Sequence, residues 1–397
     1  MRNFHDIRWR DAISQPTRMA FVALYGFESF TRASLVTVIP LAAYEQLGDA
    51  QLVSALFFGA AIVGLLSSFL VPWLVQTITR RGVVTMGCII GVGAMAGFIT
   101  QTAAGLAAGM CLSLFAGACL EIGTSTYLLD TLPRREMGRF EPLRNMFLGV
   151  TWTIGPFTGI WLRTEIGATA PFYLTAALFL SFLAYFWILR LTDAPALATA
   201  RPKRANPFLF IRRFMSQPRL RLAWILAAGR AGWWGMFFIY MPIYIVDAGY
   251  GEQTAGLVGS TGTLFTMLSA IAYRWVGHLG ARRLLIAGYG LTGLGTILIA
   301  VFADFPTAAV AACVVASFFA MPIDAVGNSH FLRAVHPYER AEMTTVFATY
   351  RYTAQLSFPG AFSLVLGVFQ LPAVFVTAGI GMLGLAGLAS YIPKSMR

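Results

Sequence analysis

Apolar runs recur along the whole chain, broken by short segments in which charges, prolines and turn residues gather. Each run is close to the roughly 20 residues that a helix needs to cross about 30 Å of hydrocarbon. Their number and spacing predict twelve transmembrane helices, beginning near Thr17, Gln51, Val83, Gly105, Leu143, Pro171, Leu220, Gln253, Arg283, Phe305, Ala341 and Pro372. The first run, from about Arg18 to Leu41, is too long for the apolar part of a secretory signal and carries Glu28 and Arg32, so it is read as a retained helix. One substantial loop, from about Leu191 to Arg219, follows the sixth run and contains Arg201, Lys203, Arg204, Arg212 and Arg213. The expected organisation is an N-terminal bundle over residues 1–191, a central loop over 192–219 and a C-terminal bundle over 220–397.

Composition agrees with the pattern. Hydrophobic residues make up 57% of the 397 positions and charged residues 12%, about half the share of a soluble protein, so the bilayer is the solvent for most of this all-α, polytopic chain. A formal charge of +12 does not imply nucleic acid, because the basic residues sit in short loops rather than on a soluble face. Arg2, Arg8, Arg10 and Arg18 precede the first helix; Arg80 and Arg81 follow the second; Arg134, Arg135 and Arg139 follow the fourth. Arg282 and Arg283, then Arg333 and Arg340, then Lys394 and Arg397 hold the equivalent places later in the chain, while the opposite loops carry Glu45, Asp49, Asp247, Glu252, Asp304 and, among basic residues, Arg163. Retention of positive charge inside puts both termini and the central loop in the cytoplasm, and the expected location is a bacterial cytoplasmic (inner) membrane. The four cysteines, Cys88, Cys111, Cys119 and Cys313, lie within apolar runs without metal-ligand or disulfide spacing, and read as small core residues.

The two halves correspond at a constant offset of about 202 residues, the mark of an internal duplication. Pro40 then matches Pro242, Trp73 matches Trp275, Arg80 and Arg81 match Arg282 and Arg283, and Gly91 and Gly93 match Gly293 and Gly295. Two six-helix halves, a basic central loop and cytoplasmic termini resemble the major facilitator superfamily over the whole chain. Two local motifs bear on that resemblance. Between the second and third helices the family carries Gly-x-x-x-Asp-Arg-x-Gly-Arg-Arg; Val75 to Val84 keeps Arg80 and Gly82 but has Val75 and Thr79 in the Gly and Asp positions. In the fifth helix Gly149, Gly155, Pro156 and Gly159 resemble the Gly-Pro-x-x-Gly element of proton-coupled drug antiporters, with Ile160 replacing its final glycine. Physically, glycines let helices approach closely and the proline frees a bend; ordinary helix packing is the competing reading.

Ionisable residues within a membrane cost about 2.5 to 3.5 kcal/mol each on insertion scales and call for pairing or function. Glu28 and Arg32 lie four apart on one face of the first helix, with Glu121 in the fourth, Arg230 in the seventh, Asp324 in the tenth and Arg351 in the eleventh. The resemblance implies that helices one, four, seven and ten line a central cavity, and five of these six charges fall on them. At the shared offset Glu28 corresponds to Arg230, and Glu121 to Ile323, one residue from Asp324. Structural ion pairs, Glu28 with Arg32 and Asp324 with Arg230 or Arg351, are the alternative reading. Arg230 suits a carboxylate or phosphate. Proton coupling has to pass through a carboxylate, which makes Asp324, Glu121 and Glu28 its candidates. Trp233 and Trp234, with Tyr25, Phe27, Phe30, Phe237, Phe238 and Tyr240, offer walls for an amphipathic or aromatic solute, or simply face lipid and neighbouring helices. Asn328 and His330 stand near the inner end of the tenth helix, His330 either as a proton relay or at the interface. Asp130, Arg134 and Arg135, and Arg333, His336, Glu339 and Arg340, form two charged clusters that serve as gates or as topogenic charge.

The expected function is secondary active transport of a small organic solute, anionic or amphipathic, by alternating access. The fifth-helix motif points to proton-coupled efflux by antiport; uptake of an anionic or zwitterionic metabolite by symport, and a transport-inactive sensor or assembly protein, are the rivals. No zinc-helix or phosphate-loop signature is present, so neither an enzyme nor an ATP-driven pump is expected. The expected partners are the solute, protons and the lipid bilayer, without cofactor or nucleic acid, and the chain is expected to act as a monomer.

Overall fold

The computed structural model describes residues 18–131, 134–189, 207–269, 280–336 and 339–392. Among them every regular element is a helix. Both extreme ends, the loop carrying Arg201, Lys203 and Arg204, and the segment with Trp275 and His278 lie outside the described residues, as do the side chains of Asp130, Arg134, Arg135, Arg139, Arg333 and Arg340. The expected charge clusters after helices four and ten fall largely there.

The helices are α1 (Arg18–Leu35), α2 (Val38–Leu47), α3 (Ala50–Thr77), α4 (Arg80–Ile99), α5 (Ala103–Thr131), α6 (Arg134–Glu165), α7 (Ala170–Ile188), α8 (Pro207–Ser216), α9 (Pro218–Asp247), α10 (Glu252–Met267), α11 (Ala281–Val301), α12 (Pro306–Val326), α13 (Ser329–Ala334), α14 (Arg340–Ala348), α15 (Tyr350–Leu366) and α16 (Pro372–Ala389). Eight of the described helical stretches are long and apolar enough to cross a membrane, built on α3, α4, α5, α7, α9, α11, α12 and α16. The other expected crossings fall on α1, which carries Arg18, Glu28 and Arg32, on α6, whose first turns are charged, and on α10 and α15, which run only 16 and 17 residues. Large side chains such as Phe69, Leu66, Leu364 and Val368 stand exposed, as a lipid-facing surface allows and a soluble one does not.

Two local departures from the apolar pattern have clear causes. The first run is broken at Val36 and Thr37, between α1 and α2, because the ring of Pro40 would meet the carbonyl of Val36 in a continuous helix. Its counterpart Pro242 sits inside the unbroken α9. The fifth apolar run begins near Leu143, yet α6 starts nine residues earlier, at Arg134; charges end a hydropathy window without ending a helix.

The chain forms two compact units. The first comprises Met1–Leu35 and Ile62–Ala200, the second Val36–Ala61 and Arg201–Arg397. In the first, α4 packs along α5 and α1 along α6 and α7. Thr151 of α6 donates to Ser29 at 3.0 Å, and the hydroxyls of Ser34 and Thr175 meet at 3.3 Å, so α1 is tied to its neighbours by polar contacts that lipid does not compete for. Gly155 lets α1 and α6 approach closely: a Cβ there would lie 2.7 Å from the carbonyl carbon of Ala33 and 3.0 Å from its oxygen. In the second unit α9 is the hub, touching α2, α8, α10, α13, α15 and α16. One end of it is held by a buried aromatic cluster in which Phe331 stacks on Phe347 at 4.0 Å, with Phe214, Leu220 and Tyr350 around them. Glu339 closes that corner through Arg213 and, at 3.4 Å, Gln217.

Candidate functional site

In the second unit, the sequence-predicted residues Arg230, Asp324 and Trp234 converge. Arg230 Nε lies 3.7 Å from Asp324 Oδ1, with the side chains 15% and 14% exposed. That separation is an ion pair rather than a hydrogen bond. The other carboxylate oxygen accepts from Trp234 Nε1 at 3.1 Å and from Thr266 Oγ1 at 3.5 Å. Arg230 Nη2 donates to Asn328 Oδ1 at 3.0 Å, and the Tyr350 hydroxyl is near enough to act on it electrostatically. The guanidinium is thus shared between the carboxylate of Asp324 on α12 and the amide of Asn328 in the turn that follows it, with the phenol of Tyr350 on α15 close by.

Local structure explains the convergence. Arg230 and Trp234 are one turn apart on α9, so both reach the same point on α12. α12 ends directly after Asp324, where Gly327 adopts φ 52° and ψ −129°. A side chain is strained at that φ, and the turn it permits brings Asn328 back beside Arg230. Trp233 points elsewhere: it is 2% exposed, and its Nε1 donates to Thr296 on α11 at 2.9 Å. Its edge meets Trp234 at 4.9 Å, and Phe237 and Phe238 continue the aromatic ladder along α9. Arg351 is exposed and donates from Nε to the Tyr350 hydroxyl at 3.3 Å. It reaches the cluster through Tyr350, while Asp324 is found with Arg230, one of the two arginines expected for it.

The first unit holds a second cluster. Arg32 Nη2 lies 2.9 Å from Glu28 Oε1 and donates to Oε2 at 3.1 Å, the carboxylate 6% and the guanidinium 51% exposed. Glu121 on α5 is exposed along its helix and near enough to act electrostatically on both Glu28 and Tyr25. Arg144 on α6 completes the group: its guanidinium stands over the Tyr25 ring, 5.2 Å from the centroid. Arg144, Tyr350 and Thr266 are absent from the sequence-based set. Arg144 opens the fifth apolar run and reads there as a flanking charge, while the two hydroxyls carry no charge signal.

The motif residues take structural places. Arg80 and Arg81 open α4, and Arg282 and Arg283 lie in the first turn of α11. Arg81 stands over Trp187 at 5.1 Å. Thr79, in the position of the expected Asp, caps α4 by accepting from the Gly82 N–H at 3.2 Å, satisfying one of the free donors of the helix start. Gly155, Pro156 and Gly159 are buried within α6.

No curated protein matches the sequence. Among solved structures the fold is similar to a peptide transporter POT in complex with sulfate, at 16% identity and TM-score 0.73 with 96% of each chain covered. It is similar to a POT family transporter in complex with 5-aminolevulinic acid, at 14% identity and TM-score 0.77, again over 96% of each. The nucleoside transporter NupG matches at 13% identity and TM-score 0.71, over 95% of this chain and 99% of that one. Such identities carry the fold and not the substrate. The family model described as the Major Facilitator Superfamily matches residues 21–359, and the chain therefore belongs to that superfamily of membrane transporters.

Proposed function

We propose that this chain is a secondary active transporter for a small organic solute bearing an anionic or zwitterionic group, driven by protons through alternating access. The observation that carries the reading is the guanidinium of Arg230 held between Asp324 and Asn328. A solute carboxylate or phosphate competes with Asp324 for that guanidinium. Once displaced, the Asp324 carboxylate sits in a poorly hydrated site without its cation and takes a proton from the aqueous side. Release of the solute lets Arg230 return to Asp324, which gives the proton up. Proton and anion bind together in such a cycle, which supports symport. That sulfate and 5-aminolevulinic acid occupy two structural neighbours is in keeping with an anionic group.

Antiport, and with it efflux, is the second reading. It is favoured by the Gly155 contact with Ala33, in the α6 segment that resembles the antiporter element. Glu121, exposed in mid-helix beside the Glu28–Arg32 pair, offers the first unit a carboxylate of its own for proton exchange.

The test uses the purified full chain in proteoliposomes, with solutes first chosen because they raise its melting temperature. An imposed proton gradient, acidic outside, accumulates the solute if the cycle is symport; an interior made acidic does so if it is antiport. No flux of any stabilising solute under either gradient would overturn both readings in favour of a sensor or assembly role.

A further inference from the structure

A groove at the start of α9 takes no part in the clusters described above. It encloses about 300 Å³ between the first turns of α9, the short α13 and the end of α16. Leu222, Ile225, Leu388 and Ile392 give it an apolar wall, while Arg219 and Arg221 stand on its rim. Both arginines are exposed, and neither has a salt bridge or hydrogen bond among the described residues. Lining the same groove is His330, 8% exposed, whose Nε2 lies 3.4 Å from the Ala223 carbonyl.

The neighbouring element says at what depth this groove lies. α8 is a short amphipathic helix: Phe214 is fully buried in the cluster with Leu220 and Phe331, whereas Ile211 and Met215 are exposed beside Arg212. Apolar and cationic side chains exposed together on such a helix mark the boundary between headgroups and acyl chains. The Arg219 and Arg221 pair follows α8 immediately and so stands at headgroup level, with the apolar wall leading away from it.

We infer that this groove is a binding site for an anionic phospholipid, with the phosphate between Arg219 and Arg221 and one acyl chain along Leu222, Ile225, Leu388 and Ile392. A free anion would leave the apolar wall uncovered, and a zwitterionic lipid would leave the arginine charge unbalanced.

Lipid retention by the purified full chain, read by native mass spectrometry with phosphatidylglycerol and phosphatidylethanolamine of matched chains, tests the site. Phosphatidylglycerol is retained preferentially. Arg219→Ala with Arg221→Ala lowers its retention about 25-fold, at about fivefold per basic side chain, and leaves phosphatidylethanolamine unchanged, while the paired lysine substitutions keep most of it. Leu222→Trp, which fills the slot and spares the arginines, lowers retention too. Equal retention of the two lipids by the wild type, full retention by the double alanine variant, or displacement by inorganic phosphate alone would overturn the assignment.

Discussion

Asp324 is held by Arg230, Trp234 and Thr266, and its removal separates charge from shape. Asparagine keeps the side-chain volume and an acceptor oxygen for Trp234. Asp324→Asn is expected to abolish accumulation against a gradient while solute exchange between loaded vesicles persists; retained accumulation would exclude Asp324 as the proton carrier. Arg230→Ala leaves the buried carboxylate its hydrogen bonds from Trp234 and Thr266 but no counter-charge, and loss of one partner of a buried pair costs about 3 to 5 kcal/mol. The double variant Arg230→Gln with Asp324→Asn should recover much of that stability in thermal melts. Between Glu28 and Arg32 the guanidinium is half exposed, so water screens the pair, and a double-mutant cycle should return a coupling of about 1 to 2 kcal/mol. The charges themselves were legible in the sequence, because a charged residue inside an apolar run is conspicuous. Their partners were not: spacing pairs Glu28 with Arg32 within one helix, but nothing in the chain's order sets Arg144 beside Tyr25, or Asn328 beside Arg230.

At the level of elements, the apolar runs located the helices because hydrocarbon demands about 20 residues of helix wherever the chain crosses it. Hydropathy is blind to turns made of apolar residues, and so Val36 and Thr37 are hidden inside a single run; only Pro40 hints at the break. Pro242 occupies the equivalent place and leaves α9 intact, so the same residue type does not decide alone. Gly155 shows the reverse, a motif position whose packing role is readable from residue type. Gly155→Leu forces side-chain atoms into the Ala33 backbone and is expected to cost about 1 to 3 kcal/mol, as overpacking does. Gly93 and Gly117 have no neighbour within 4 Å of an added Cβ. Alanine at either should leave the melting temperature unchanged or raise it, by up to about 1 kcal/mol of helix propensity. Melting curves of the three variants in one detergent compare them directly.

Across the whole molecule, the order of the chain and the membership of its compact units part company. The second unit includes Val36–Ala61 from the first half of the sequence, fastened to α9 by paired hydroxyls. Ser54 already donates to the Ala50 carbonyl at 2.9 Å, so the contact of 2.7 Å with Tyr240 has the phenol as donor. A weaker tie joins the Tyr44 hydroxyl to Asp247 at 3.2 Å. Removing the two partners of the buried contact should therefore differ in effect. Tyr240→Phe leaves Ser54 satisfied and costs about 0.5 to 1.5 kcal/mol, whereas Ser54→Ala strands a buried phenol and costs about 1 to 3 kcal/mol; equal shifts in melting temperature would reverse the donor assignment. α3 begins within this fastening and continues without a break past Ala61 into the other unit. Its 28 residues make a rod about 42 Å long, with Gly59 and Gly64 on either side of the crossing point. An added Cβ meets nothing within 4 Å at Gly59 and only Leu114 at 3.6 Å at Gly64, so a pair of alanines there should stiffen this stretch of helix and raise the melting temperature, each relieving up to about 1 kcal/mol of helix-propensity cost.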